Sequence, residues 1–339
     1  MSLKDIAAEV GVSISTVSRV LNNEKTSAAS KSLQAQIWEV ARRQGYTPNA
    51  AARALKTTAP VEIPDVKLLY CMFACPPHET KDDPFFTKLT SAIEREAFKC
   101  GYILHYTFSS VDLDSPILLN TFAANPSDSL IILGRFDASL YRRVRKHFKK
   151  IVYVGLNRLD VKCDQVICDG FKAAQSAVEY LYSLGHRKIG YVGCQEARMH
   201  GFLHALNSLG LPTDARLLSD DSELSMEGGY QGMLRLLDKA PDITAVFCGN
   251  DITAIGALRA AKDRGLKLPR DLSIIGVNNI ENVQYTSPML ASINVPLEEM
   301  GKTAVHVLLD RIEGCHSSNI VVEFPSTVVK RESCSLPPV

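Results

Sequence analysis

The sequence predicts an α/β protein in two parts, a small helical head and a larger body of parallel sheets covered by helices. Three observations carry this. Residues 1–60 hold eight Lys or Arg against four Asp or Glu, although the 339-residue chain has a net charge of only +1. The same stretch spaces its apolar residues at helical intervals. From Lys67 onward, short apolar runs alternate with helical stretches, the pattern of strands buried on both faces.

The head divides into three short helices. Leu3, Ile6, Ala7 and Val10 stand at i, i+3, i+4 and i+7, an amphipathic helix that Gly11 ends. Ser13 is placed to cap a second helix, with Val17, Val20 and Leu21 as its apolar face. Ser30 is placed to cap a third, in which Leu33, Ile37, Trp38, Val40 and Ala41 supply the apolar side and Gly45 the stop. A four-residue turn between the first two makes a helix-turn-helix unit. Its second helix, "ISTVSRVL", is rich in small hydroxyl residues where a helix built only for packing would use Leu, Ala, Glu and Lys. Asn49 then opens "NAAARALKT", too short to be stable alone. "APVEIPDV" reads as a linker.

In the body the predicted strands are "KLLYCMF", "YILHYTF", "SLIIL", "KIVYVG", "KIGYVG", "TAVFCG", "LSIIGV" and "IVVEF". The helices between them cover 85–99, 170–184, 198–209, 226–238, 251–264 and 297–313. The expected domains are 1–47 for the head, 48–65 for a hinge helix and linker, and 66–339 for a two-lobed body. Lobe 1 takes about 66–160 plus 291–323, and lobe 2 about 161–290 plus 324–339.

Composition narrows the function. Hydrophobic content of 46% and charged content of 22% are ordinary for a globular protein. No run approaches the ~18 apolar residues of a membrane span and no apolar signal stretch opens the chain, so a cytoplasmic location without membrane contact is expected. Nine Cys stand singly with no CxxC pair, which reads as buried thiols, not as metal ligands or disulfides. No GxGxxG follows a strand, and GxxxxGK[ST], GxSxG and HExxH are missing, so neither an enzyme nor a cofactor or metal is expected. A basic head on a slightly acidic body points to a DNA-binding unit joined to a larger module. A transport receptor with the same body would lack that head.

The ordered motifs "LKDIAAEVGVSISTVSRVLNN", "YTPNAAARALKT", "GHRKIGYVG", "RMHGF", "FCGNDITAIGALRAAKDRGLKLPRDLSIIGVNN" and "TSPMLASINVP" resemble the lac repressor (LacI/GalR) family of bacterial transcription regulators along the whole chain. "DDPFFTKLTSAIE" is similar to galactoside regulators within it. The resemblance implies a periplasmic-binding-protein-like sensor with parallel sheets. It further implies a homodimer on a pseudo-palindromic double-stranded operator, and a small-molecule effector bound between the lobes. No heptad segment follows residue 313, so a tetramer is not expected.

The same resemblance implies the site residues. Ile14, Ser15 and Arg19 fall at base-reading positions. Thr16 and Ser18 would donate to phosphates or base edges, and Asn22 joins the DNA contacts. Leu55 matches a leucine wedged into the minor groove, with Asn49 and Arg53 positioning it. The bland alternative is that Ser and Thr merely cap a generic helix. In the sensor, Arg198 matches an arginine that grips sugar hydroxyls or an anionic effector, and Asn250 an asparagine facing the cleft. Asn278 falls where the family usually has an aspartate, Asn157 near a second acidic or amide position, and Phe86 at an apolar wall. Leu224 takes the place of a tryptophan that stacks on sugar, and "CQEA" before Arg198 is short. The expected cleft has one fixed cation, two amides and modest aromatic surface. It suits a sugar or galactoside inducer first, and a nucleoside or sugar phosphate, as inducer or corepressor, second.

Overall fold

The computed structural model describes residues 3–21, 30–43, 67–74, 83–124, 127–135 and 137–338. Asn22 and the hinge residues Asn49, Arg53 and Leu55 lie outside the described residues. The chain forms two compact units, Met1–Asp65 and Val66–Val339.

In the first unit, α1 (Leu3–Val10), α2 (Ile14–Leu21) and α3 (Lys31–Arg43) enclose a small core of Ile6, Ala7, Val17, Leu21, Ile37 and Ala41. Three residues, not four, separate α1 from α2. Gly11 makes that turn possible with a φ of 72°, which a side chain would strain. Both expected caps form. Ser13 Oγ accepts from Thr16 N at 3.2 Å and Ser30 Oγ from Leu33 N at 3.3 Å.

The second unit contains two six-stranded sheets. The strands are β1 (Lys67–Ala74), β2 (Tyr102–Ser109), β3 (Ser129–Gly134), β4 (Lys150–Gly155), β5 (Asp164–Ile167), β6 (Ile189–Val192), β7 (Leu218–Ser219), β8 (Ala245–Cys248), β9 (Ser273–Asn278), β10 (Ala291–Asn294), β11 (Val321–Glu323) and β12 (Thr327–Val329). The first sheet runs β11-β5-β4-β3-β1-β2 and the second β12-β10-β9-β8-β6-β7. Every pairing is parallel except β10 with β12. The helices are α4 (Pro84–Lys99), α5 (Pro116–Ala124), α6 (Ala138–Val144), α7 (Gly170–Ser183), α8 (Ala197–Ser208), α9 (Met226–Lys239), α10 (Asp251–Asp263) and α11 (Leu297–Glu313). None is long and apolar enough to cross a membrane.

The expected lobe boundaries are corrected here. β5 belongs to the first sheet and β10 to the second, so the chain crosses after Ile167 and again after Asn294. "DQVI" and "ASIN" are four-residue strands interrupted by polar side chains, too brief to show a period. The buried-thiol reading holds for Cys71, Cys163, Cys168 and Cys248 but not for Cys315, which is exposed.

Helix starts are fixed by side chains at the carboxyl ends of strands or just beyond. Asp83 caps α4 ahead of Pro84, Asp169 caps α7 and Asn250 caps α10. One buried cluster then runs through both lobes, from Leu69, Ile131 and Val152 to Ile189, Phe247 and Ile275. Glycines let α9 and α10 meet backbone to backbone. A Cβ at Gly256 would stand 1.9 Å from Met226 O, and one at Gly229 would stand 2.0 Å from Thr253 O. Gly256→Ala must part the two helices, and we expect a loss of about 1–3 kcal/mol or more, read as a lower thermal midpoint. An unchanged midpoint would show that the helices slide freely.

Candidate effector cleft and DNA-reading face

The strand ends deliver the expected sensor residues to one place. Phe86 lies in the first turn of α4 after β1, and Asn157 two residues beyond β4. Arg198 lies in the first turn of α8 after β6, Leu224 precedes α9, Asn250 follows β8 and Asn278 ends β9. All six line a cleft at the carboxyl ends of both sheets, where ligands of open α/β sheets bind.

The charge balance differs from expectation. Asp83, Arg135 and Glu196 also line the cleft, so two acids face two arginines in place of one fixed cation. Asp83 caps α4 with one oxygen and reaches across the cleft with the other. Oδ1 accepts from Phe85 N at 2.9 Å, while Oδ2 accepts from Asn250 Nδ2 at 3.0 Å. Asn250 in turn accepts from Thr253 N at 2.9 Å. The caps of α4 and α10, one from each lobe, are thus bonded directly across the cleft. Arg135 adds a second bridge, its Nη1 reaching Cys194 Sγ at 3.7 Å.

Arg198 is buried, with Gly170 leaving room for its stem: a Cβ there would lie 3.1 Å from Arg198 Cγ. Its Nε and Nη2 donate to Glu196 Oε1, and its Nη1 to Gly249 O. Burial opposes the guanidinium charge, but the adjoining Glu196 carboxylate, with Cys194 and Tyr191 adding to it, holds the Arg198 pKa above its ordinary value. Three buried acceptors in the lining have no donor: Asn157 Oδ1, Glu196 Oε2 and Asn278 Oδ1. Asn278 has a φ of 111° and Asn279 a φ of 52°, positive values that Asn tolerates better than most residues and that turn the chain sharply at the cleft.

Behind the cleft, Asp251 is fully buried. Its carboxyl accepts from Ser292 Oγ at 2.6 Å and Ile280 N at 2.9 Å. Burial raises its pKa from 3.8 to about 8, with Asp83 adding to the rise and those hydrogen bonds opposing it. The folded state therefore keeps a proton that the unfolded chain loses near 3.8, and stability from this group falls as pH rises between about 4 and 8. Asp251→Asn should flatten that slope. Thermal midpoints from pH 5 to 8 check it, and equal slopes in both proteins would refute it.

In the head, rotation of about 100° per residue puts Ile14, Ser18, Ser15 and Arg19 within an arc of about 140° on α2, with Ile14 bordering the buried side of Val17 and Leu21 and Arg19 farthest from it. Ile14 is 48% exposed, an apolar group left in water on that face. Thr16 falls beyond the arc, and its hydroxyl meets Ser13 Oγ at 2.8 Å.

Comparison with known proteins agrees with this architecture. Residues 2–49 match the family model described as bacterial regulatory proteins, lacI family, and residues 178–334 match a periplasmic binding protein-like domain. A curated relative, the HTH-type transcriptional repressor PurR of Yersinia pestis bv. Antiqua (strain Antiqua), is 33% identical over 98% of this chain and 96% of its own. A LacI family transcriptional regulator from Enterococcus faecium, solved with bound ribose, is 28% identical with a TM-score of 0.68, covering 79% of this chain and 99% of its own. The lac repressor dimer bound to operator and the anti-inducer ONPF shares the fold at a TM-score of 0.67 and 21% identity, over 99% of each chain. With a relative this similar across nearly its full length, the chain belongs to the lacI family of bacterial transcriptional regulators and is a DNA-binding regulator, not an enzyme.

Proposed function

We propose that the protein is a homodimeric repressor that reads a pseudo-palindromic operator with α2 and releases it when a small sugar-class metabolite, with a galactoside as first candidate, occupies the sensor cleft. One recognition helix per half-site calls for two-fold symmetry in protein and DNA. Ile14, Ser15, Ser18 and Arg19 would face the groove. Arg198, Asn157, Asn278 and Asn250 would hold ligand hydroxyls, against Phe86 and Leu224 as apolar walls. The observation that carries the reading is the set of three donor-less buried acceptors in one cleft, since hydroxyls are the donors a sugar supplies. A relative 28% identical, solved with ribose, supports the class. Because the Asp83–Asn250 and Arg135–Cys194 bonds span the cleft, a ligand that inserts between them shifts the balance between lobe arrangements.

A second reading is a nucleoside acting as corepressor. Leu224 favours it, because an aliphatic wall offers no aromatic face to a sugar ring whereas Phe86 can stack on a base. Thermal shift with a panel of sugars and nucleosides, followed by operator binding with and without the best hit, tests both. A hit that weakens operator binding about 5- to 150-fold is the expected result. A nucleoside that tightens it replaces the first reading with the second.

A further inference from the structure

We infer that Glu196 makes the cleft select uncharged, donor-rich ligands and reject anionic ones, by consuming the positive charge of Arg198 and presenting its second oxygen to a ligand hydroxyl. This deepens the reading above and rests on the cleft being the effector site.

Glu196 occupies the N-cap position of α8 with extended backbone, yet its side chain makes no cap bond to the helix. An acid at a helix start ordinarily turns back to the free N–H groups there. Here it leans instead against Arg198, and its side chain is only 7% exposed. Oε1 takes both Nε and Nη2 of Arg198, while Oε2 is buried without any partner. Among the described residues none uses Oε2, although leaving a buried carboxylate oxygen unbonded costs free energy. It shares the cleft with Asn157 Oδ1 and Asn278 Oδ1, two more acceptors in the same condition, brought from different strand ends. A ligand satisfying Glu196 Oε2 must bring a hydrogen-bond donor, which hydroxyls do and ionised phosphate or carboxylate oxygens do not, and the two Asn amides can accept from further hydroxyls.

The electrostatics agree. Arg198 would by itself make a strong anion site, because its planar fork matches phosphate and carboxylate oxygens. Glu196 occupies two of its nitrogens, and Gly249 O the third. Glu196 offsets the charge of Arg198 directly, so an anion entering against this pair would give up its water for no net positive charge from it.

The test uses the full-length protein with matched pairs: ribose and ribose 5-phosphate, galactose and galactose 6-phosphate, a nucleoside and its monophosphate. Calorimetry and thermal shift would be run on wild type, Glu196→Gln and Glu196→Ala. Wild type should prefer the uncharged member of the pair it binds. Glu196→Gln, which keeps the side chain's shape but frees the Arg198 charge, should move that preference about tenfold or more toward the anion. Inorganic phosphate alone should bind saturably to Glu196→Gln and Glu196→Ala but not to wild type, a readout that needs no known effector. A wild-type preference for the phosphorylated member would overturn the inference, as would variants that gain no phosphate binding. If nucleosides bind in place of sugars with the uncharged preference intact, the sugar reading fails and this one stands.

Discussion

Arg198→Ala should cost the protein both stability and its effector response. The guanidinium is buried against Glu196, whose own side chain is 7% exposed, so removing it strands a carboxylate away from water. Breaking a buried ion pair by deleting one partner typically costs about 3–5 kcal/mol. Loss of the bond to Gly249 O frees the strand end that leads into Asn250 and α10. The effect should therefore reach Asn250 and its bond to Asp83 across the cleft. The double variant Glu196→Gln/Arg198→Ala separates the two consequences. It should recover much of the lost thermal stability, because no charge is left stranded, and recover none of the response to effector. Denaturation midpoints and effector-dependent operator binding, measured on both variants, read them out. A single variant as stable as wild type would mean that Glu196 finds another partner. A response that survives in the double variant would remove Arg198 from the effector site.

That pair also shows where the sequence stopped being informative. Helices and parallel strands were legible because their apolar periods are local. Val17 and Leu21 mark the inner face of α2 as plainly in the sequence as in the core. Caps such as Ser13 and Ser30 need only a neighbour three residues on. The short strands β5 and β10 were missed because polar residues break up their four-residue runs, whereas the equally short β6 and β8 are apolar, and with them went the true crossover points between lobes. In the cleft, the six residues implied by family resemblance do meet. What resemblance could not supply is the charge state of the site. Glu196 stands two residues before Arg198, a spacing that on a regular helix would separate the side chains. Only the extended backbone at Glu196 folds the carboxylate back onto the arginine. Asp83 and Asn250 are 167 positions apart, so their bond has no local signature at all.

Arg19→Ala should weaken operator binding by about 1–3 kcal/mol, roughly 5- to 150-fold, and relax preference at one base pair. Other residues hold α2 in place. Val17 and Leu21 are buried against Ile6, Ala7, Ile37 and Ala41, and Ser13 caps its first turn. Arg19 contributes to none of this. It stands exposed on the arc that carries Ile14, Ser15 and Ser18. Removing it should leave the head's melting within about 0.5 kcal/mol of wild type, as for surface changes elsewhere. A loss of affinity would then belong to DNA contact and not to unfolding. Guanine offers O6 and N7 as paired acceptors in the major groove, and the planar fork of an arginine meets both, which is why one side chain can set one base pair. Lys4, on α1, provides the contrast. If it touches only phosphate, Lys4→Ala should weaken binding to all sequences alike and lower the salt slope by about one. Operator selected from randomised DNA, then titrated at several salt concentrations against both variants, distinguishes the two behaviours. Should Arg19→Ala bind the selected operator as tightly as wild type, base reading would have to pass to Ile14 and Ser15, whose methyl and hydroxyl groups discriminate thymine and purine edges less sharply than an arginine fork does guanine.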